Sequence, residues 1–274
     1  MENTVLCVRW GDKYDDTYVK KLKEQLEKHL TVPFNFYCLT DNPKEEYDIQ
    51  LPTVWDKYYD DSHQWRADKK MFWAYRKCYM FNIDKYFPQI KGSQFLYFDI
   101  DVLIHQNIDC MFELDVYRPY IVRGWWNDAA NCKKNYGQIK SPPLNSSCIR
   151  WHRQQLSLIE KHIDKHKEVI FFTYRTIDNY FNHFWYNIWE EDIPYHERER
   201  GADVGKSIPA FDAGIDFLQG FPKGYFYSWY KGNIFPDDME DHKLRLDHKV
   251  CLFNNSYNSP DDEMKDIEDI KKLW

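Results

Sequence analysis

Short apolar runs alternate with segments of helical periodicity along the first hundred residues. Residues 4–10 form an apolar, β-branched run that predicts a buried strand. Apolar residues then recur three or four positions apart over residues 17–30, directly after Asp15 and Asp16, either of which can cap a helix. Residues 34–39 predict a second strand. A strand, helix and strand in this order build a parallel sheet, with ligand sites outside the carboxyl ends of its strands.

The rest of the chain continues this alternation, interrupted by polar stretches. A helix is predicted over residues 64–81, and the most apolar segment of the chain, residues 93–104, is predicted to be one continuous strand. Further strands are predicted over residues 120–123, 145–151, 225–230 and 249–253, and further helices over residues 152–167, 178–185 and 261–272. The pattern is typical of an α/β fold.

Charge and composition exclude several classes of function. The 274 residues include 37 Lys+Arg and 44 Asp+Glu, a net charge of −7, so no broad cationic surface for nucleic acid is expected. No apolar run approaches the roughly 20 residues of a membrane-spanning helix, and the polar N-terminus does not resemble a signal peptide. Seven scattered cysteines without a C-x-x-C pair indicate reduced thiols. We therefore expect a cytoplasmic protein with no membrane span.

Two aspartates, Asp99 and Asp101, interrupt the apolar segment 93–104. Charged carboxylates in such a run are costly unless they are paired or bind a cation. In an extended segment, residues i and i+2 project to the same side, so both carboxylates can face one point. Oxygen ligands suit Mg²⁺ or Mn²⁺, and a metal held there can bind a diphosphate. The alternative is a pair of carboxylates at a strand end that accept hydrogen bonds from neighbouring N–H groups.

Residues 95–112 resemble the "LYLDLDvvi…nID.lf" block of nucleotide-sugar glycosyltransferases with the GT-A fold, of the broad kind that includes family 8. Residues 7–41 resemble the family's opening strand, helix and strand, residues 144–151 its "NSsvmvw" strand, and residues 221–231 its "fPegw.ySyk" segment. The blocks follow the family's order. The resemblance implies a Rossmann-like α/β fold, in which helices flank a mostly parallel central sheet and a small secondary sheet is added.

The resemblance also implies a domain organisation. We expect one GT-A domain over residues 1–260, with a nucleotide-binding half at 1–104 and a sugar and acceptor half at 105–260. A charged C-terminal helix would follow over residues 261–274.

Several single residues acquire roles from the resemblance. Four of them would surround a uracil or another base: Val8, Trp10, Tyr14 and Thr40. The alternative role of these four residues is packing in the core and in turns. Asp99 and Asp101 would hold Mn²⁺ or Mg²⁺ on the donor diphosphate.

The donor sugar and diphosphate would meet a second group of residues. Asn145 and Ser146 match a polar pair beside the donor sugar, and Asp178 lies where the family often places an acidic or amide residue near the sugar. Two alternatives are that Ser146 satisfies a strand end and that Asp178 caps the helix after it. Lys231 would contact the diphosphate, and its alternative is a solvated turn lysine.

The last block departs from the family. Its usual "FHGkpKP" stretch supplies a metal-binding His and a Lys for the diphosphate, whereas residues 250–260 place Asn254 at the position of the His and contain no Lys. An amide oxygen can still bind a hard cation, so Asn254 is the third expected metal ligand. The substitution also leaves open a non-catalytic protein that only binds a nucleotide or sugar.

These observations predict a metal-dependent glycosyltransferase that takes a sugar from a nucleotide-sugar donor, with uridine diphosphate as the expected nucleotide. The acceptor is open among glycans, proteins, lipid-linked sugars and small molecules, and the likeness to family 8 favours retention of configuration. A haloacid dehalogenase-like phosphatase is a further alternative, with Asp99 as nucleophile and Asp101 as acid/base. Against it, a strand, helix and strand precede the motif, and only a forced assignment makes Asp212 and Asp216 its acidic pair. His162 and His166, four residues apart, are expected on a solvated helix face.

Overall fold

The structure is a computed structural model that describes residues 2–61, 69–123, 144–174, 176–185, 217–229, 243–253 and 268–274. The strands are β1 (Asn3–Arg9), β2 (Phe34–Thr40), β3 (Asp48–Gln50), β4 (Gln94–Phe98), β5 (Val102–Ile104), β6 (Tyr120–Arg123), β7 (Leu144–His152), β8 (Gln219–Gly220), β9 (Phe226–Ser228) and β10 (Val250–Leu252). The α-helices are α1 (Asp16–His29), α2 (Asp56–Asp61), α3 (Ile83–Tyr86), α4 (Ser157–Thr173), α5 (Ile177–Phe184) and α6 (Glu268–Leu273). Two 3-10 helices span Lys69–Asn82 and Asp109–Met111.

Seven strands form the central sheet, in the order β3-β2-β1-β4-β7-β6-β8. The four strands from β3 to β4 are parallel, β7 is antiparallel to both β4 and β6, and β8 is parallel to β6. A second sheet has the order β5-β10-β9. The predicted fold class is confirmed in these terms: an α/β architecture with a mostly parallel central sheet and a small second sheet.

The opening unit follows the sequence pattern closely. Asp15, one of the two residues predicted as caps, is the N-cap of α1 and accepts a hydrogen bond from the Thr17 backbone N–H at 2.9 Å, whereas Asp16 is the first residue of the helix. The apolar stripe of α1 packs against the central sheet through the buried side chains Tyr18, Val19, Leu22 and Leu26. This crossover brings the carboxyl ends of β1, β2 and β4 to one edge of the sheet.

The expectation of one continuous strand over residues 93–104 is wrong. β4 ends at Phe98 and β5 begins at Val102, and a turn at residues 99–101 separates them. β4 pairs with β1 in the central sheet, whereas β5 pairs with β10 in the second sheet, so the chain must change direction between them. Both aspartates therefore lie in the link between the two sheets, and strand alternation does not set where they point.

The segment before β4 is helical, as predicted, but it is not an α-helix. Lys69–Asn82 is a 3-10 helix, and residues 64–68 of the helix expected over residues 64–81 lie outside the described part of the chain. Every residue from 75 to 83 is buried. A segment enclosed on all sides has no solvent-facing stripe to hold the α-helical period, so packing decides its conformation.

The expectation of a solvated face at His162 and His166 is wrong for His162. Its side chain is buried, its ring stacks on that of Tyr180, and a hydrogen bond of 2.7 Å joins Nδ1 to the Tyr180 hydroxyl. The reason is that α5 packs against this face of α4 through Tyr180 and Phe184. Beyond a kink at His166, α4 continues to Thr173, past the predicted end at residue 167.

Six cysteines belong to the described residues, and all six are free thiols, as predicted: Cys7, Cys38, Cys78, Cys110, Cys148 and Cys251. Cys110 is partly exposed and the other five are buried. Across the described ranges, the helices are too short or too polar to cross a membrane. Of the predicted C-terminal helix, Glu268–Leu273 form α6, and residues 261–267 lie outside the described residues.

Candidate active site

Asp99 begins the turn between the two sheets, at the carboxyl end of β4. Its backbone N–H donates to the Ser147 carbonyl at 2.8 Å, which joins the turn to β7. Its side-chain Oδ1 accepts hydrogen bonds from the Lys77 ammonium at 2.9 Å and from the Tyr97 hydroxyl. Lys77 and Tyr97 thus hold Asp99 through one of its two side-chain oxygens.

Lys77 is the buried cation of this site. Only 7% of its side chain is exposed, and its Nζ also contacts the Ser146 carbonyl and the Ser146 Oγ, both at 3.2 Å. A buried ammonium needs such acceptors to offset its lost hydration. The 3-10 helix therefore supplies a positive charge that connects β4 with β7 at their common edge.

Asp178 joins the same cluster from α5. Its Oδ1 accepts a hydrogen bond of 3.0 Å from the Ser146 backbone N–H. Burial raises the pKa of Asp178, and the charge of Lys77 with the hydrogen bond from Ser146 opposes that rise. The alternative that Asp178 caps its helix is wrong, because Thr176 is the N-cap and its Oγ1 accepts from the Asn179 N–H at 3.3 Å.

Asn145 lies one residue before Ser146 on β7. Its Oδ1 accepts a hydrogen bond of 2.9 Å from the Ser147 N–H, which holds the side chain against its own strand. The pairing of β6 with β7 shifts register between Ile121 and Val122, and Val122 then faces Asn145. A bulge of this kind re-aims side chains at a sheet edge.

Asp101 ends the turn and is held by the connection after β1. Its Oδ2 accepts a hydrogen bond of 2.8 Å from the Tyr14 hydroxyl. Burial and the charge of Asp99 raise the pKa of Asp101, and the Tyr14 hydroxyl and the charge of Lys13 oppose the rise. The negative charges of the two aspartates therefore repel each other.

The remaining residues expected around a base occupy the neighbouring strand ends. The Arg76 guanidinium lies 3.6 Å from the centre of the Trp10 ring and covers one of its faces. Val8 is partly buried and packs against the core. Thr40 is fully buried, and its Oγ1 accepts from the Asn42 N–H at 3.2 Å, which is a turn-forming contact.

The two carboxylates suit a divalent cation in their chemistry. Asp99 and Asp101 offer hard oxygen ligands, and their two negative charges repel each other. Within the described ranges, no group of three or more His, Cys, Asp or Glu side chains is placed to hold a metal ion. Asn254, the expected third ligand, and Lys231, the expected diphosphate partner, both lie outside the described residues.

Sequence reasoning missed three contributors to this site: Lys77, Arg76 and Tyr97. A signal was present, since Arg76 and Lys77 are adjacent charges inside the otherwise apolar run of residues 71–81. Buried cations require partners, just as the aspartates of residues 93–104 do. Tyr97 carries no such signal, because a tyrosine in a buried strand is ordinary.

The chain matches no protein-family model, and comparison with curated protein sequences finds no match. Comparison with solved structures finds similarity to glycosyltransferases. Mouse xyloside xylosyltransferase 1 in its apo form has a TM-score of 0.49 and 9% identity, over 93% of this chain and 98% of that one. A glycosyltransferase involved in glycosylation of the PBCV-1 major capsid has a TM-score of 0.46 and 14% identity, over 97% and 100%. The galactosyltransferase LgtC, with donor and acceptor sugar analogues, has a TM-score of 0.47 and 10% identity, over 98% and 94%.

Proposed function

We propose that this chain is a metal-dependent glycosyltransferase that takes a sugar from a nucleoside diphosphate sugar, with uridine as the nucleoside. One observation carries the proposal. Asp99 and Asp101 lie in the link between two sheets at the carboxyl end of β4, and contacts from four other segments converge on them and their neighbours. This edge of a parallel sheet is where α/β proteins bind nucleotides.

In this proposal Asp99 and Asp101 hold Mn²⁺ or Mg²⁺, with Asn254 as a third ligand. A cation bound there supplies positive charge beside the diphosphate, where negative charge grows as the glycosidic bond breaks. Lys77 and Tyr97 hold Asp99 through its Oδ1 atom. Among the residues that the structure describes, no hydrogen bond is made to the Oδ2 atom of Asp99. Lys231 is the proposed partner of the diphosphate.

The donor sugar is proposed to lie beside Asn145, Ser146 and Asp178. The Asp178 carboxylate is anchored through one oxygen by the Ser146 N–H, which sets its direction relative to β7. Asp178 and Asn145 are the proposed catalytic residues, which bind and orient the sugar. The resemblance to family 8 favours retention of configuration, and the acceptor class remains open among glycans, proteins and small molecules.

The base is proposed to lie against the connection after β1. Trp10 and Tyr14 offer flat rings there, and Val8 is partly buried near the end of β1. Thr40 is fully buried, so its proposed role is to support the end of β2 rather than to touch the base. The ring of Tyr14 is partly exposed, and stacking on a nucleobase is worth about 1–3 kcal/mol.

A donor screen with Asp101→Asn as the key variant tests the proposal. The purified chain is incubated with Mn²⁺ and a panel of nucleotide sugars, and released nucleoside diphosphate is measured. We expect turnover of a uridine diphosphate sugar by the unaltered chain and at least a hundredfold loss in Asp101→Asn, with its melting temperature preserved. Asp247→Asn is the matched control, because this aspartate is 77% exposed and belongs to another part of the fold.

Three other results would contradict the proposal in distinct ways. Unchanged activity in Asp101→Asn would remove its metal role. Binding without turnover under every donor and metal would instead indicate a protein that only recognises nucleotides or sugars. Release of phosphate from simple phosphomonoesters, with no turnover of nucleotide sugars, would indicate the phosphatase.

A further inference from the structure

Tyr14 physically links the region expected to bind the base with the region expected to bind the metal. It lies in the connection between β1 and α1, one residue before the helix cap Asp15. Its hydroxyl donates to Asp101 Oδ2 at 2.8 Å, across 87 positions of sequence. A single side chain thus has its ring at the proposed base pocket and its polar end on a proposed metal ligand.

The Tyr14 ring is held from α1. It contacts the ring of Tyr18 at 4.8 Å between centroids, and Tyr18 is buried in the core. The Lys13 ammonium lies 4.5 Å from the centre of the Tyr14 ring, and the Lys13 side chain is exposed. A flat ligand can therefore take the place of the exposed lysine on the ring, whereas the contact with the buried Tyr18 is retained.

Asp101 depends on this hydroxyl for its orientation. The Tyr14 bond is the one side-chain hydrogen bond to the Asp101 carboxylate that the described residues provide. Partners that bind the far oxygen of a metal-binding carboxylate orient it, and their loss typically lowers metal affinity 10- to 100-fold. Movement of the Tyr14 ring must then move or release a metal ligand.

We propose that Tyr14 is a positioning residue that couples occupancy of the base pocket to metal affinity. The inference rests on the proposed function and adds a mechanism to it. A base that stacks on the Tyr14 ring restricts the ring, the restricted hydroxyl fixes Asp101, and the prepared carboxylate binds the cation more tightly. Because such coupling is reciprocal, the cation must raise affinity for the base by the same factor.

Uridine tests this coupling, because it carries a base and a ribose but no phosphate that could touch the metal. Mn²⁺ affinity of the unaltered chain is measured by calorimetry without and with saturating uridine. We expect uridine to tighten Mn²⁺ binding by about fivefold or more, within the usual range of coupling between sites. In Tyr14→Phe, which keeps the ring and loses the hydroxyl, uridine should still bind and the coupling factor should fall to one.

Tyr117→Phe is the matched control, since Tyr117 is exposed and lies far along the chain, and it should retain the full coupling factor. Independent binding of uridine and Mn²⁺ to the unaltered chain would overturn the inference while the proposed function stands. Coupling that persists in Tyr14→Phe would overturn it as well. A chain that binds neither Mn²⁺ nor uridine diphosphate overturns the proposed function itself. The first measurement needs no variant, so the inference stays testable even if Tyr14→Phe fails to fold.

Discussion

The Lys77 ammonium lies 2.9 Å from Oδ1 of Asp99, in a place where only 7% of the lysine side chain and 26% of the aspartate side chain are exposed. The lysine comes from a 3-10 helix and the aspartate from the link between the two sheets. This pair fixes one proposed metal ligand without a metal. Among the described residues, the one side-chain hydrogen bond to Asp101 comes from the uncharged Tyr14 hydroxyl, so Asp101 is the carboxylate whose charge is less well balanced.

Replacing Lys77 by Met should lower the free energy of unfolding by about 3 kcal/mol, the lower end of the range for breaking a buried pair. The substitution leaves Asp99 without its cation and removes the contacts of the ammonium with Ser146. Urea denaturation followed by circular dichroism measures the change.

Lys44→Met is the control for this experiment. Lys44 also contacts an aspartate, Asp16, at 2.7 Å, but half of its side chain is exposed. Its loss should cost less than about 1 kcal/mol, as for surface pairs. Equal effects of the two substitutions would show that burial does not strengthen the pair of Lys77 with Asp99.

Asp101→Asn should leave the metal-free chain at least as stable as before. The raised pKa of Asp101 means that its ionised form is disfavoured in the fold, and a neutral amide removes that cost. Melting temperatures without metal and with excess Mn²⁺ test this. The unaltered chain should gain stability from Mn²⁺ and the variant should not, because binding to the native state raises the melting temperature. A variant clearly less stable than the parent without metal would contradict the argument.

Glu160→Gln should destabilise the fold by about 2 kcal/mol. Glu160 is fully buried, and its carboxylate accepts from Asn82 at 2.8 Å, from Lys85 at 2.8 Å and from Tyr86 at 2.7 Å. An amide replaces one acceptor oxygen with a donor, so at least one of these partners loses its bond.

Lys85→Met separates charge from geometry in this network. Glu160 is fully buried, so Lys85→Met leaves its charge without a cation, and the expected loss is about 3 kcal/mol, more than for Glu160→Gln, which also removes the charge. Thermal denaturation of both variants measures the difference, and a smaller loss for Lys85→Met would refute the ranking.

Stability should fall as the pH drops from about 6.5 to about 4, partly because of His162. Burial lowers the pKa of His162 to about 4, against about 6.5 in the unfolded chain. Between these values the unfolded chain takes up a proton that the folded chain does not, so acid favours unfolding. His162 contributes about 3 kcal/mol to the free energy of unfolding at neutral pH. This contribution is lost progressively as the pH falls towards 4, and the loss does not increase further below pH 4.

The measurement is the free energy of unfolding at a series of pH values for the unaltered chain and for His162→Gln. The difference between the two curves should shrink as the pH falls from 6.5 to 4, since the variant has no group there to protonate. His105, whose pKa burial also lowers to about 4, provides the same dependence in both proteins and cancels in the difference. A constant difference across this range would exclude the role given to His162.

The chain's local patterns determined much of this fold. The cap at Asp15, the apolar stripe of α1 and the strands β1, β2, β6 and β7 follow from residues that are near one another in sequence. Hydrophobic period and turn chemistry are local properties, so one sequence carries them in full. The same patterns singled out Asp99 and Asp101 as carboxylates that need an explanation.

Only the tertiary structure decided the contacts between distant segments. The turn that separates β4 from β5 exists because the two strands pair in different sheets, and nothing within residues 93–104 encodes that. The same holds for the bond from Tyr14 to Asp101 and for the burial of Lys77 beside Asp99. Such contacts depend on loop closure and packing over tens of residues, which no short-range period describes. The sequence thus determined which groups need partners, and the packing of the two sheets decided which partners they have.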